Sequence, residues 1–250
     1  MGKIVIKNDK EISIMAEVGK KLARVKKELI KLVKEDKRAS DIEELAVDLI
    51  KKEGAKPSFM MVPGYHWATC VNVNSGLVHG IPTSDVIFKK GDVVSVDLGL
   101  FYEGFHSDSS FTVAIKPTSE IEKFLEVGKN ALKKAINCCE EGKYISDISL
   151  AIEKTVKKVG YEPVLALSGH GVGRKLHEEP VIPCFVANEK EIEIKNGMTL
   201  AIEVMYMQGS SEVVLENDGW TISTLDGKIS ALYEETVAVT KHGPLVLTEV

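Results

Sequence analysis

A chain of 250 residues in which 44% are hydrophobic and 28% charged has the make-up of a soluble globular protein, with enough length to bury a full core. No run of 18 apolar residues occurs, which excludes a membrane-spanning helix, and the net charge of −5 argues against nucleic acid as the main ligand. The first 56 residues are mildly basic and the remainder acidic; a solvated helix face accounts for that basic balance.

The N-terminal stretch MGKIVIKNDKEISIM has no apolar h-region or cleavage site, and Ile6 stands where a myristoylation signal needs Ser or Thr, so the expected compartment is the cytoplasm. Cys70, Cys138, Cys139 and Cys184 show no CxxC pairing or zinc spacing and read as reduced thiols, the adjacent pair packing on a helix.

Residues 11–38 carry apolar positions at helical spacing and predict a first outer helix. The stretch from Ser40 to Pro57, SDIEELAVDLIKKEGAKP, predicts a second, with Ser40 as N-cap and a Gly-Pro exit. The following SFMMVPGYHWATCVNVNSGLVHGIP is strand-rich, punctuated by Pro63-Gly64 and by Asn74-Ser75-Gly76. Of its two histidines, His66 sits beside a Tyr65 that reads as exposed and belongs at the surface or rim. His79, at the end of a strand and held by Gly80 and Pro82, can be aimed at a site.

Gly91 to Val113, GDVVSVDLGLFYEGFHSDSSFTV, predicts a β-hairpin: an apolar run from Val93 to Leu98, a glycine-bounded turn from Gly99 to Gly104, and a second strand through Asp108 to Val113. Folded symmetrically about Tyr102 and Glu103, it places Asp97 opposite Asp108, with Cβ atoms roughly 4.5–5.5 Å apart. Two carboxylates facing each other in a half-buried sheet repel unless a cation lies between them. Two strand aspartates ordinarily face solvent, but aspartate is disfavoured in strands and Asp97 follows a run that reads as buried. A metal ion is the economical partner.

Residues 119–160 supply a second helical pair. LALSGHGVGRKLHEEP then flanks His170 with glycines and places His177 seven residues on. Arg174 occupies the last position of a would-be GxGxxG, so this is not a phosphate loop. A run of small residues around one imidazole suits a ligand that must approach a metal unobstructed. The C-terminal part is a series of strands separated by Gln-Gly, Asn-Asp-Gly and Asp-Gly turns. Glu203 and the pair Glu234-Glu235 sit within apolar strands, and alternation lets only one of that pair face inward without saying which.

The chain repeats itself. SDIEELAVDLIKKEGAKP recurs 106 positions later as SDISLAIEKTVKKVGYEP, with Ser146 in the place of Ser40, and the same offset carries GDVVSVD, ending at Asp97, onto GMTLAIE, ending at Glu203. The implied unit is helix, capped helix, Gly-Pro exit and antiparallel strands. Two units about a pseudo-twofold axis bring Asp97 and Glu203 to one central site, with helices outside a continuous antiparallel sheet. The expected architecture is α+β, one domain over residues 1–250 with repeats at roughly 11–113 and 119–240.

HGIP at His79, VDLGLFYEGFHSDSS at Asp97 and Asp108, GHGVGRKLHEEP, LAIEVM, DGW at Trp220 and ALYEET, in this order and across essentially the whole chain, resemble the type I methionine aminopeptidases, members of the pita-bread metallohydrolase fold. No large insertion separates His170 from Glu203, as in the type I pattern. The resemblance implies Asp97, Asp108, His170, Glu203 and Glu234 as ligands of two divalent ions. It departs from the family at Glu235, where relatives have histidine, and at Val204, where they usually have proline; either change could alter the shape of the site. Four carboxylates contribute −4, which two divalent cations neutralise, and one imidazole without a thiolate favours Mn, Fe(II), Co or Zn.

The resemblance further implies removal of the N-terminal methionine from nascent proteins and peptides, by hydroxide generated between the two ions. It gives Glu203 the work of acid and base and His177 a hydrogen bond to the reacting carbonyl, with His79 on the scissile amide. Phe59, Tyr65, Cys70, Leu176 and Trp220 match the methionine pocket, with His79 at its edge, and Asn74, Gly76 and Ser230 match a weak monovalent-cation site. A monomer with a transient ribosome contact is the expected state. Two rivals are a proline-directed aminopeptidase on the same fold, whose relatives usually carry an additional N-terminal domain, and a metal-free binding protein, which would typically have lost ligands.

Overall fold

The computed structural model describes residues 3–187 and 192–249. Helix α1 (Asp9–Leu32) starts at Asn8, whose side chain accepts from the Glu11 N–H at 3.1 Å while the Glu11 carboxylate accepts from the Asn8 N–H at 2.9 Å, a reciprocal cap. It stops well short of residue 38 because Val33 takes extended backbone angles, φ -70 and ψ 94, which no helix continues. Helix α2 (Ala39–Lys52) buries Ile42, Ala46 and Ile50 at four-residue spacing. The first half continues through β1 (Lys56–Pro57), a 3-10 turn at Phe59–Met61, β2 (Thr69–Val73), β3 (Gly76–Val78) and the hairpin β4 (Val93–Tyr102) and β5 (Phe105–Ala114). The second half runs through α3 (Ser119–Asn137), α4 (Ile145–Lys157), β6 (Glu162–Pro163), β7 (Ser168–Gly171), β8 (Glu178–Pro183) and β9 (Thr199–Met207). The chain closes with β10 (Val213–Leu215), β11 (Ile222–Thr224), β12 (Ser230–Thr240) and β13 (Gly243–Val246).

The offset of the sequence repeat reappears in the pairing. β1 meets β4 at Lys56↔Phe101 and Pro57↔Leu100, and β6 meets β9 at Glu162↔Met207 and Pro163↔Tyr206. The isolated bridge Arg38↔Ile87 has its counterpart in Tyr144↔Glu193. Neither serine caps its helix. Arg38 and Tyr144 are the N-cap residues of α2 and α4, and the Asp41 and Asp147 carboxylates reach back to accept from their N–H groups at 3.0 and 2.9 Å. The bridges fix where each helix begins, which pushes Ser40 and Ser146 one residue inside the first turn.

One antiparallel sheet runs in the order β1-β4-β5-β12-β9-β7-β8, with β2 also on β4 and β13 on β12. Along β4, Val94, Val96, Leu98 and Leu100 join the core formed with α1 and α2. Along β9, Leu200, Ile202, Val204 and Tyr206 join the core that includes Phe124, Ala131, Ile148 and Ile152 of α3 and α4. The helices therefore cover one face of the sheet, and strand alternation delivers Ser95, Asp97, Gly99 and Glu203 to the other. This is the α+β, helix-backed sheet expected from the sequence.

The hairpin differs in its turn. Tyr102 pairs with Phe105 across a two-residue loop, Glu103-Gly104, whose φ angles are +50 and +82, the left-handed pair of a type I′ turn. The symmetry point lies between Glu103 and Gly104, one residue on from the expected one. Asp97 consequently faces Ser110, and Asp108 faces Gly99, so the two aspartates are diagonal rather than opposite neighbours on the same face.

Candidate metal centre

The corrected register lines up a cross-strand row on the open face. Cys70 of β2 pairs with Asp97, Asp97 with Ser110, Ser110 with Glu234, and Glu234 with Glu203. Directly paired residues share a face, so five strands deliver one row of side chains. Asp108 lies two residues from Ser110. His170 pairs with Ala201, two residues from Glu203. It sits in β7, a strand with a register shift at His170/Gly171, where the sequence predicts a loop of small residues. Glu234 is the inward member of the Glu234-Glu235 pair. Glu235 points the other way and accepts from Lys26 Nζ at 2.7 Å.

At the pseudo-twofold axis β5 and β12 share one directly paired position, Ser110↔Glu234, and two threonines bridge the seam on either side. The Asp108 N–H donates to Thr236 Oγ1 at 3.0 Å and that hydroxyl donates to the Asp108 carbonyl at 2.8 Å. The Leu232 N–H donates to Thr112 Oγ1 at 3.1 Å and that hydroxyl donates to the Leu232 carbonyl at 2.6 Å. Each hydroxyl satisfies an N–H and a C=O that would otherwise be buried without a partner.

Asp108, His170 and Glu234 each offer a ligand atom within 4.8 Å of the others. His170 Nε2 lies 3.5 Å from Glu203 Oε1 and 3.9 Å from Asp108 Oδ2. Burial lowers the His170 pKa to about 4, so the ring is neutral at pH 7. With Nδ1 at 2.9 Å from the Gly171 carbonyl, the ring proton belongs there, and the Nε2 lone pair faces the carboxylates as a metal ligand's would. Burial raises Asp97 to about 7. Burial and the neighbouring carboxylates push Asp108, Glu203 and Glu234 well above the usual carboxylate range. Asp97 Oδ1 is buried without a hydrogen-bond partner. Mutual repulsion, an orphaned carboxylate oxygen and an imidazole lone pair aimed at the cluster all fit hard or borderline divalent cations.

Above the row lies a cavity of about 350 Å³ lined by all five of these residues, by His79 and His177, and by Phe59, Tyr65, Cys70, Leu176 and Trp220. Phe59, Tyr65, Cys70 and Leu176 form a small buried cluster against which Trp220 packs. Tyr65 is buried, contrary to its expected exposure: its ring lies edge-on to Trp220 at 5.1 Å and its hydroxyl donates to the Thr69 carbonyl at 2.9 Å. His66 is exposed, as expected of a rim residue. His79 takes φ +59 just after β3, and its pKa is lowered by burial and by His177; burial also lowers that of His177. The rings of His170 and His177 meet edge-on at 4.6 Å. Asn74, Gly76 and Ser230 gather elsewhere, Ser230 Oγ donating to the Gly76 carbonyl at 2.9 Å.

Sequence reasoning passed over Ala166, Leu167, Ser168 and Met205 in the cavity wall. It also passed over His106, buried at 2.9 Å from Ser58 Oγ and with its pKa lowered to about 4, chiefly by burial. His106 shares a strand face with Asp108, two residues on, and that spacing was the available signal. The thiols of Cys70, Cys138, Cys139 and Cys184 are all free.

Residues 13–241 match the model of metallopeptidase family M24. The chain belongs to this family. As an M24 protein it is a metal-dependent hydrolase of peptides. It is 39% identical to a methionine aminopeptidase of Aquifex aeolicus, over 98% of this chain and 99% of the relative. It is 40% identical to methionine aminopeptidase 1 of Bacillus subtilis, over 99% and 100%. Among solved structures, a methionine aminopeptidase from Thermotoga maritima superposes with a TM-score of 0.96 at 38% identity, covering 99% of this chain and all of that one. No helix among the described residues is long and apolar enough to cross a membrane.

Proposed function

We propose that this M24 protein is a methionine aminopeptidase that takes the N-terminal methionine from nascent chains and peptides. The observation that carries the proposal is the joining, in one cavity, of a carboxylate row drawn from both halves of the repeat with an apolar pocket closed by Phe59, Tyr65, Cys70, Leu176 and Trp220. That pocket is walled by apolar and aromatic side chains and has no charged group of its own, which suits an apolar side chain such as methionine's.

Asp97, Asp108, His170, Glu203 and Glu234 would hold two divalent ions, of the set Mn, Fe(II), Co or Zn. Bound there, the ions would supply Lewis acidity and lower the pKa of water. Glu203, at the end of the row, takes the proton released on attack and returns it to the leaving amine. His177, neutral at pH 7 because burial lowers its pKa, keeps a ring N–H to donate to the carbonyl oxygen as negative charge develops, a contribution on the order of 3 kcal/mol. His79, likewise neutral, serves the scissile amide side. Asn74, Gly76 and Ser230 remain the candidate monovalent-cation position. A cytoplasmic monomer that meets nascent chains at the ribosome suits this activity.

Metal-loaded protein is expected to cleave Met-Ala-Ser and to leave Ala-Pro peptides intact. Cleavage of the Ala-Pro peptides alone would assign the protein to proline-directed hydrolysis instead, and cleavage of neither would leave a binding protein. Elemental analysis of protein purified without added metal identifies the resident ion.

A further inference from the structure

The segment before α1 holds an ion pair that the chemistry above does not use. Lys7 is 4% exposed, and its ammonium donates to Glu178 Oε2 at 2.5 Å. It makes a second bond, at 3.3 Å, to the Val5 carbonyl. Burial lowers the Lys7 pKa, against the opposing pull of Glu178. A buried ammonium is costly without its partner, so this pair constrains both elements that carry it.

Those elements are an N-terminal segment and the loop that presents His177. The segment is anchored by the Lys7 N–H, which donates to the Gly197 carbonyl at 2.8 Å. On the loop side, Glu178 directly follows His177, and its second oxygen accepts from the Lys175 N–H at 3.1 Å. Gly173 makes room for the ammonium: a Cβ there would come within 2.4 Å of Lys7 Cε and 2.7 Å of Nζ. The loop is tied further by the Gly171↔Glu178 strand pairing at its base, by the His106 N–H to the Gly173 carbonyl at 2.7 Å and by Arg174 to Glu11 of α1 at 2.7 Å. Of these ties, the Lys7–Glu178 pair is the buried charge-charge contact, and it reaches the residue beside His177.

We propose that Lys7 is a positioning residue for His177: the N-terminal segment straps the 172–177 loop at its exit, through Glu178, the first residue of β8, and so fixes the imidazole over the reacting carbonyl. The assignment depends on the role given to His177 above. A displacement of the ring by a fraction of its hydrogen-bond length weakens transition-state contacts before it weakens substrate binding.

The test is a mutant cycle on the metal-loaded enzyme with Met-Ala-Ser: Lys7→Met, His177→Ala and the double variant, with Glu178→Gln as a second way to break the pair. Lys7→Met is expected to lower kcat on the order of tenfold to a hundredfold with KM within about twofold. It should cost less than about twofold more once His177 is already alanine. Equal losses in both backgrounds, or no loss in either, overturn the strap. Nitrogen-15 signals of the His177 ring supply an independent readout. Lys7→Met and Glu178→Gln should shift or broaden them and spare those of His79, and unchanged His177 signals overturn the proposal whatever the kinetics. Full kcat in His177→Ala would instead remove the role given to His177, and the ring signals would then report whether the strap holds it.

Discussion

Glu203 stands at one end of the carboxylate row and Asp97 near the other, and each lies in a strand held by backbone pairing. Replacing either removes a charge from an already repulsive cluster, so loss of activity need not bring loss of fold. Glu203→Gln, which deletes the proposed proton carrier and a proposed ligand charge together, is expected to cut kcat on Met-Ala-Ser by at least about 10³-fold while the circular-dichroism spectrum is unchanged. His177→Ala should cost about 10²–10³-fold with little change in KM. A raised KM at constant kcat would show that His177 holds ground-state substrate only. The same row shows what a period of two can and cannot deliver. Alternation confines Glu234 and Glu235 to opposite faces, but the choice is made by Lys26, 209 positions away in the chain, whose buried ammonium claims Glu235.

Between elements, the β5–β12 seam is where the two halves of the repeat meet, and its two threonines offer a matched pair of variants. Thr236→Val strips the hydroxyl from the Asp108 N–H and C=O, and Thr112→Val strips it from those of Leu232. Each should destabilise the fold by about 1–3 kcal/mol through buried backbone groups left unpaired. Only Thr236→Val should also weaken divalent-ion binding, because Asp108 is a ligand candidate and Leu232 is not. Calorimetric unfolding and an ion titration on both variants check this, and equal loss of affinity in the two would place the threonines' effect in general stability. The repeat itself was legible, since one offset relates helix to helix and strand to strand. The seam was not: no register between β5 and β12 can be read from strands 120 positions apart. Nor was the turn, because Gly99 and Gly104 both fit a bend and only the Tyr102–Phe105 pairing decides between them. A one-residue error there moved Asp108 from opposite Asp97 to diagonal without removing it from the site, since both arrangements keep the pair on one face.

Across the whole molecule, the acidic floor contributes a pH dependence opposite in sign to that of salt-bridged carboxylates. Salt-bridged carboxylates have depressed pKa values and lend stability that is lost on acidification. Here burial and mutual repulsion raise the pKa of Asp97 to about 7 and those of Asp108, Glu203 and Glu234 as well. A carboxyl whose folded-state pKa is raised contributes stability that is complete below its unfolded pKa near 4 and disappears as pH climbs through the folded value. The carboxylates' share of metal-free stability should therefore fall between about pH 4 and pH 7, while His170 and His106, buried neutral with pKa values lowered to about 4, contribute stability that rises with pH over nearly the same interval. Asp97 alone, moving from 3.8 to about 7, accounts for on the order of 4 kcal/mol, or a Tm lower by on the order of 10 °C in a chain of this size. Divalent ions bind the deprotonated carboxylates and the neutral imidazole, so the stabilisation they add grows over the same interval. Thermal unfolding of chelator-treated parent and Asp97→Asn across this range should show the variant gaining Tm relative to the parent as pH rises, and an added divalent ion should raise the parent's Tm more at pH 7 than at pH 4. A difference between parent and Asp97→Asn that stays constant from pH 4 to pH 7 would mean that the Asp97 carboxylate is compensated from within the chain, and the case for cations on this row would fail with it.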